Sequence, residues 1–226
     1  MSDAVKNLKF MAFDVDGVMT DGTLTFLPDG SETKTFYTLD GAGIRMLQKS
    51  GIIVGWITGR SSPAVEHRAR NLGITHLAQG VSDKRTVYHT WLTEAGLDFS
   101  QAGFMGDDLI DLAAMQACAF AAAPVNAVKV IREAATLVTE EHGGRGAVRT
   151  VCEYILQAQG KLDAFLTSGI HWYVPSRRPQ RCSADPAGCA DGCISHWPAH
   201  GPGGPLLLAR RRFYGRTGRH RRQIPP

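Results

Sequence analysis

Residues 10–22 read Phe10-Met-Ala-Phe-Asp14-Val-Asp16-Gly17-Val-Met-Thr-Asp21-Gly22, and the fold turns on the point where this apolar run breaks into carboxylates. A short apolar run ended by Asp-Gly predicts a strand over residues 8–15, buried on both faces. Asp is depleted in strands and costly to bury unpaired. Asp14 and Asp16 at the end of such a strand therefore call for a metal or a phosphate group beside them.

Outward from this stretch the pattern alternates between strand and helix. Residues 23–26 and 33–37 favour strand and surround the turn Leu27-Pro-Asp-Gly-Ser31, which predicts a hairpin directly after the Asp cluster. A helical pattern from 41 to 51 carries Ile44, Leu47 and Gln48. It leads into a buried strand, 52–57, that ends in Thr58-Gly-Arg60. Ser62 before Pro63 opens a helix to residue 72, 76–79 is a short strand, and Asp83 opens a helix to 95. The strand 102–105 ends in Gly106-Asp107-Asp108. Strands at 118–122 and 136–138 flank a helix at 128–134. One amphipathic helix is expected over 147–166, its stripe formed by Val148, Val151, Ile155, Leu162 and Phe165.

This alternation predicts an α/β fold with a doubly wound, Rossmann-like parallel sheet, in which function sits at the carboxyl ends of strands. Asp14, Thr58 and Asp107 each follow a predicted strand directly, so residues far apart in sequence converge on one edge. Asp14, Asp16, Asp107, Asp108 and Asp111 would crowd several carboxylates there, and their repulsion needs a cation to offset it. All the candidate ligands are oxygens, which favours Mg²⁺. Thr58, Arg60 and Lys84 supply donors and positive charge suited to a phosphoryl group. Together these features predict phosphoryl transfer, with an ionised Asp as nucleophile.

Composition bounds the rest. The chain has 226 residues, 43% hydrophobic and 20% charged, enough for one sizeable core. No leader-like run or membrane-length apolar segment stands out, so a cytoplasmic protein without membrane contact is expected. The net charge of +4 hides two unlike parts: residues 1–166 hold 15 Lys+Arg against 19 Asp+Glu, and residues 167–226 hold 10 Arg, no Lys and 2 Asp. Cys118 and Cys152 read as buried thiols of a reduced compartment.

The first motif, Asp14-Val-Asp-Gly-Val-Met-Thr-Asp-Gly22, resembles the DxDGxxTDG signature of the haloacid dehalogenase-like phosphohydrolases. Thr58, Lys84 and Gly106-Asp107-Asp108 with Asp111 stand where that family has its remaining motifs, over residues 8–166. Within the family the local text is most like the enzymes that dephosphorylate 3-deoxy-D-manno-octulosonate 8-phosphate (KDO 8-phosphate) for lipopolysaccharide synthesis. The short hairpin, the absence of an inserted cap domain, GDDLIDL and Gly143-Gly-Arg-Gly-Ala-Val-Arg149 carry that likeness. The family usually continues the last motif with Glu, where Thr150 stands here.

The resemblance implies roles for these residues. Asp14 would attack phosphorus, and Asp16 would protonate the leaving oxygen and then deprotonate water. Mg²⁺ would be held by Asp14, the backbone carbonyl of Asp16 and Asp107. Thr58 would bind phosphoryl oxygens, Lys84 would stabilise charge, Asp111 would orient Lys84, and Arg60 would meet a substrate carboxylate or phosphate. Gly17 lets the chain turn away after the carboxylates, and Asp108 starts the following helix while Asp107 is the preferred ligand. Capless relatives form homotetramers whose hairpins and C-terminal segments close neighbouring sites, which makes Arg145 and Arg149 candidates to reach a neighbour's substrate. A nine-carbon sialic-acid-type phosphate is the alternative substrate.

Other features have plainer readings. His67, His76, His89 and His142 lack metal-ligand spacing and are expected to pack or face solvent. The tail, 167–226, contains 8 of 11 prolines, 8 glycines and only one apolar run, residues 206–209, and is expected to be disordered. The gaps between Cys182, Cys189, Cys193 and His196 match no standard zinc pairing. The arginines offer a reading from another class, a non-catalytic nucleic-acid-binding or regulatory protein. Nucleic acid is nevertheless disfavoured as a partner, because the tail's composition and abrupt loss of periodicity resemble a GC-rich coding region translated in a shifted frame.

Overall fold

The computed structural model describes residues 3–168, so the expectations for the tail, including its cysteines, His196 and arginines, lie outside the described residues. The chain begins with α1 (Asp3–Lys6) and enters β1 (Phe10–Phe13). A hairpin, β2 (Thr25–Phe26) and β3 (Glu32–Thr33), separates β1 from α2 (Thr38–Lys49). Then follow β4 (Ile53–Ile57), α3 (Pro63–Leu72), β5 (His76–Ala78), α4 (Lys84–Glu94) and β6 (Ala102–Met105). The remainder is α5 (Leu112–Ala117), β7 (Phe120–Ala123), α6 (Lys129–Ala134), β8 (Leu137–Val138), α7 (Ala147–Ala158) and α8 (Asp163–Ser168).

Six strands form one parallel sheet in the order β5-β4-β1-β6-β7-β8. The chain winds outward from β1 through β4 to β5, then returns to the other side of β1 at β6. That reversal opens a crevice at the carboxyl ends of β1, β4 and β6. Register makes the convergence literal, because Phe13 is paired with both Trp56 and Met105, the residues at or next to the ends of β4 and β6.

Strand β1 is buried on both faces, as its uninterrupted apolar text requires. Met11 and Phe13 face a core layer containing Ile44, Leu47, Val148, Val151 and Ile155 from α2 and α7. Phe10 and Ala12 face the opposite layer with Tyr88, Leu92, Met115 and Ile131 from α4, α5 and α6. Tyr88 is fully buried, and its hydroxyl lies 3.0 Å from the carbonyls of both Phe10 and Gly103. His76 packs edge-on against Phe10 and Trp91. Cys118 and Cys152 are both free thiols, and burial pushes Cys118 up to about 12.

Three expectations need correction. The hairpin strands expected over 23–26 and 33–37 are only Thr25–Phe26 and Glu32–Thr33, because the chain leaves the ladder at Lys34. Helix α2 begins at Thr38, three residues before the expected Gly41, which places Asp40 inside its first turn. The single helix expected over 147–166 is two helices. Gly160 adopts φ 65°, a left-handed conformation that stops α7 and lets the Lys161 N–H return to the Leu156 carbonyl. Leu162 and Phe165 still pack against the core despite the break. Among the described residues no helix is long and apolar enough to cross a membrane.

Candidate active site

Asp14 extends β1 by one residue, its N–H donating to the Met105 carbonyl at 2.9 Å, and its carboxylate is buried. Directly beyond β6, Gly106 has no room for a side chain, because a Cβ there would lie 2.3 Å from that of Asp111. The close approach lets Asp111 Oδ2 accept the N–H groups of Asp107 at 3.0 Å and Asp108 at 3.3 Å. Asp108 in turn accepts the Leu109 N–H at 2.7 Å and caps a short 3₁₀ turn, Leu109–Asp111. The Asp-Asp pair is thus divided: Asp108 caps, and Asp107 is left facing the crevice.

Lys84 opens α4, held there by Asp83, whose carboxylate accepts the Thr86 N–H at 3.0 Å. Its ammonium, only 1% exposed, lies 2.7 Å from Asp14 Oδ1 and 2.7 Å from Asp111 Oδ1. Burial alone would lower the lysine pKa, but the two carboxylates outweigh it and hold Lys84 above its ordinary value. One lysine does not neutralise three carboxylates, two of them buried and Asp107 half-buried. Burial, then the charge of Asp111, pushes Asp14 well above the carboxylate range, and the same two causes raise Asp107 to about 7. Oxygens of Asp14, Asp107 and Asp111 lie within 4.8 Å of one another, and Asp107 Oδ1 is buried with no hydrogen-bond partner. An all-oxygen set with an unpartnered buried acceptor and surplus negative charge fits a hard divalent cation. Asp111 is already engaged by Lys84 and two amides, which leaves Asp14 and Asp107 as the freer donors.

The Asp16 side chain does not join this cluster. It turns toward the hairpin, where it pairs with Lys34 and accepts from Thr58 Oγ1 at 3.4 Å. Lys34 Nζ also lies 2.6 Å from Glu32, and Glu32 lies 2.5 Å from Arg60. The chain of charges Arg60, Glu32, Lys34, Asp16 ties the hairpin across the crevice. Sequence reasoning missed Lys34 and Glu32. Their signal is the two-residue spacing of opposite charges, Glu32 in β3 and Lys34 directly after it. The expected phosphate donors Thr58 and Arg60 border the crevice, with the Arg60 N–H donating to Thr58 Oγ1 at 3.3 Å.

Arg145 and Arg149 do not reach the cluster of this chain. Arg145 is exposed and lies 3.4 Å from Asp21, while Arg149 pairs with Glu153 one turn along α7 at 2.6 Å. The glycines around Arg145 explain the motif better. A Cβ at Gly143 would lie 1.7 Å from the Gly17 carbonyl oxygen, and the Gly144 N–H donates to Val18 O at 2.8 Å. Residues 143–144 are a backbone buttress behind the turn that follows Asp16.

No family model matches the chain. Among curated proteins it is 45% identical over 157 residues to 3-deoxy-D-manno-octulosonate 8-phosphate phosphatase KdsC of Yersinia pestis, covering 70% of this chain and 84% of that protein. It is 39% identical over 168 residues to the enzyme of the same name from Haemophilus influenzae, covering 74% and 93%. Among solved structures, the Moraxella catarrhalis 3-deoxy-D-manno-octulosonate 8-phosphate phosphatase, in complex with magnesium, phosphate and KDO, matches with TM-score 0.71 and 43% identity, over 73% of this chain and 94% of that one. A cobalt-bound form of the Haemophilus influenzae phosphatase matches with TM-score 0.69 and 39% identity, over 72% and 95%.

Proposed function

This chain belongs to the 3-deoxy-D-manno-octulosonate 8-phosphate phosphatases of the haloacid dehalogenase-like superfamily, and on that premise we propose that it hydrolyses this sugar phosphate through an aspartyl-phosphate on Asp14. It is a phosphoric monoester hydrolase on a Rossmann-like parallel sheet, and Mg²⁺ is its cofactor. The observation that carries the mechanistic reading is the convergence of Asp14 and Asp107, at the ends of the adjacent strands β1 and β6, with Lys84 from the start of α4, Asp107 Oδ1 being left unpartnered.

Asp14 and Asp107, with the backbone carbonyl of Asp16, would hold Mg²⁺. Bound there, the ion offsets repulsion between the anionic nucleophile and the phosphoryl group. Asp14 attacks phosphorus in line, and the bond from phosphorus to the sugar oxygen breaks. Asp16 delivers a proton to that leaving oxygen. After the sugar departs, the same carboxylate takes a proton from the water that attacks the phosphoryl group and frees Asp14. Lys84 stabilises charge on the phosphoryl oxygens and is kept in place by Asp111, while Thr58 donates to those oxygens. Arg60 meets the sugar's carboxylate. For these roles Lys34 has to yield Asp16 to the substrate, which makes the hairpin a movable cover of the crevice.

The enzyme acts in the cytoplasm, in lipopolysaccharide precursor synthesis, as a homotetramer. Support for assembly comes from the hairpin, where Leu24, Phe26 and Leu27 are 44%, 59% and 46% exposed, an apolar edge suited to burial against another copy. Arg145 and Arg149 would then serve a neighbouring site. Phosphate release from a panel of sugar phosphates, with and without Mg²⁺, tests the reading. Preference for a nine-carbon acid phosphate would move the substrate assignment, and no release from any of them would end it. Sedimentation velocity tests the tetramer, which a monomer at micromolar concentration would contradict.

A further inference from the structure

Asp40 stands in the first turn of α2, outside the carboxylate cluster, and is fully buried. Its oxygens accept two amides at the start of α7, Oδ2 from Gly146 at 3.3 Å and Oδ1 from Arg149 at 2.9 Å. The residue preceding α7 is Gly146, which has no side chain to cap with, so Asp40 supplies from another element the acceptor that a helix N-terminus requires. The loop that Asp40 anchors is pressed against the turn after Asp16. Gly144 donates to Val18 O, Gly143 abuts the Gly17 carbonyl, and a Cβ at Gly17 would lie 1.9 Å from Asp107 Oδ2. Contacts therefore run without a gap from Asp40 through Gly146, Gly144 and Gly143 to Gly17 and Asp107.

We propose that Asp40 is a positioning residue of the phosphatase site: by anchoring the start of α7 it presses residues 143–144 against the Gly17–Thr20 turn, and so fixes where the Asp16 backbone and Asp107 stand. The kinetic part rests on the phosphatase reading above. The carboxylate is costly in place, since burial raises its pKa to about 6 against the pull of the two amides. Glu141 adds to that cost, the Arg149 and Arg68 guanidiniums relieve it, and the buried Cys152 thiol lies on the α7 side. A neutral side chain would be cheaper there. Stability and positioning therefore make opposite demands at this residue.

The test is Asp40→Asn. The amide oxygen keeps one acceptor, for the shorter Arg149 bond, and turns an NH₂ toward the Gly146 N–H. At pH 7.5 the variant should melt no lower than the wild type, while the Gly144 and Gly146 amides exchange about tenfold faster. Its kcat for phosphate release should fall roughly tenfold with KM within about twofold. Unchanged exchange and kcat would overturn the proposal, as would a kcat loss matched by a lower melting temperature, which would mark a merely structural carboxylate. If the variant does not fold, the wild type decides: exchange of Gly144 and Gly146 at free-peptide rates would overturn the proposal, and protection supports it. A wild-type enzyme that releases no phosphate would remove the phosphatase reading and the positioning role together, an outcome that is distinct from failure of the exchange arm.

Discussion

Gly17 and Asp107 contend for the same space: a Cβ on Gly17, at φ 90°, would lie 1.9 Å from Asp107 Oδ2. The glycine does more than let the chain turn. It allows a carboxylate from β6 to stand against the turn that leaves β1, and so brings two oxygen donors from different strands to one cation position. Gly17→Ala should displace Asp107 and weaken Mg²⁺ binding at least about tenfold, with a matching loss of turnover. Calorimetric titration with Mg²⁺ checks this, and wild-type affinity in the variant would show that the close approach is dispensable.

Lys84 holds two buried carboxylates at once. Replacing it with methionine leaves Asp14 and Asp111 without their cation, and breaking a buried pair in this way costs about 3–5 kcal/mol at neutral pH. Lys84→Met should therefore lower the urea midpoint markedly as well as abolish turnover. The stability loss should shrink as the pH falls and Asp14, raised by burial, protonates. A loss of activity at unchanged stability would contradict the structural half of this account.

Arg60 should behave differently, because its contact with Glu32 is half exposed and such pairs contribute little to stability. Arg60→Ala should leave the urea midpoint nearly unchanged and raise KM for the sugar phosphate about tenfold or more, with kcat far less affected. A kcat effect at constant KM would place Arg60 in the chemical step instead of in recognition.

The metal-free site carries a proton near neutrality, since burial and Asp111 raise Asp107 to about 7. Below that pH a binding cation must displace this proton. Apparent Mg²⁺ affinity should then fall by up to about tenfold per pH unit below 7. Titrations between pH 5.5 and 8.5 give the slope, and a flat profile would mean that Asp107 is already ionised without metal.

The legible parts of the sequence were those where local chemistry and fold agree. The strand at 10–13 could be read because Asp-Gly ends an apolar run, and Ser62 before Pro63 opens α3 with an ordinary start signal. Convergence of Asp14, Thr58 and Asp107 followed from strand alternation alone. What escaped depends on tertiary contact. Lys34 is an ordinary surface residue in the text and becomes almost fully buried only when the hairpin folds over Asp16. Asp40 looks like a helix-start residue for α2, yet its acceptors are used by α7, more than a hundred residues away. The Gly143–Gly144 pair reads as an ordinary turn, closed by the Arg145 N–H on the His142 carbonyl, and its further reason, the backbone of residues 17–20 packed against it, has no local signal. The break at Gly160 was hidden because the apolar stripe resumes beyond it at Leu162 and Phe165.

The central claim is that Asp14 is the nucleophile of a Mg²⁺-dependent phosphatase. Its most direct test is phosphate release from 3-deoxy-D-manno-octulosonate 8-phosphate by the full chain and by Asp14→Asn at equal Mg²⁺. The wild type should turn over and lose activity in EDTA, while the folded variant should fall by at least about a thousandfold. Near-normal turnover in Asp14→Asn would contradict the account.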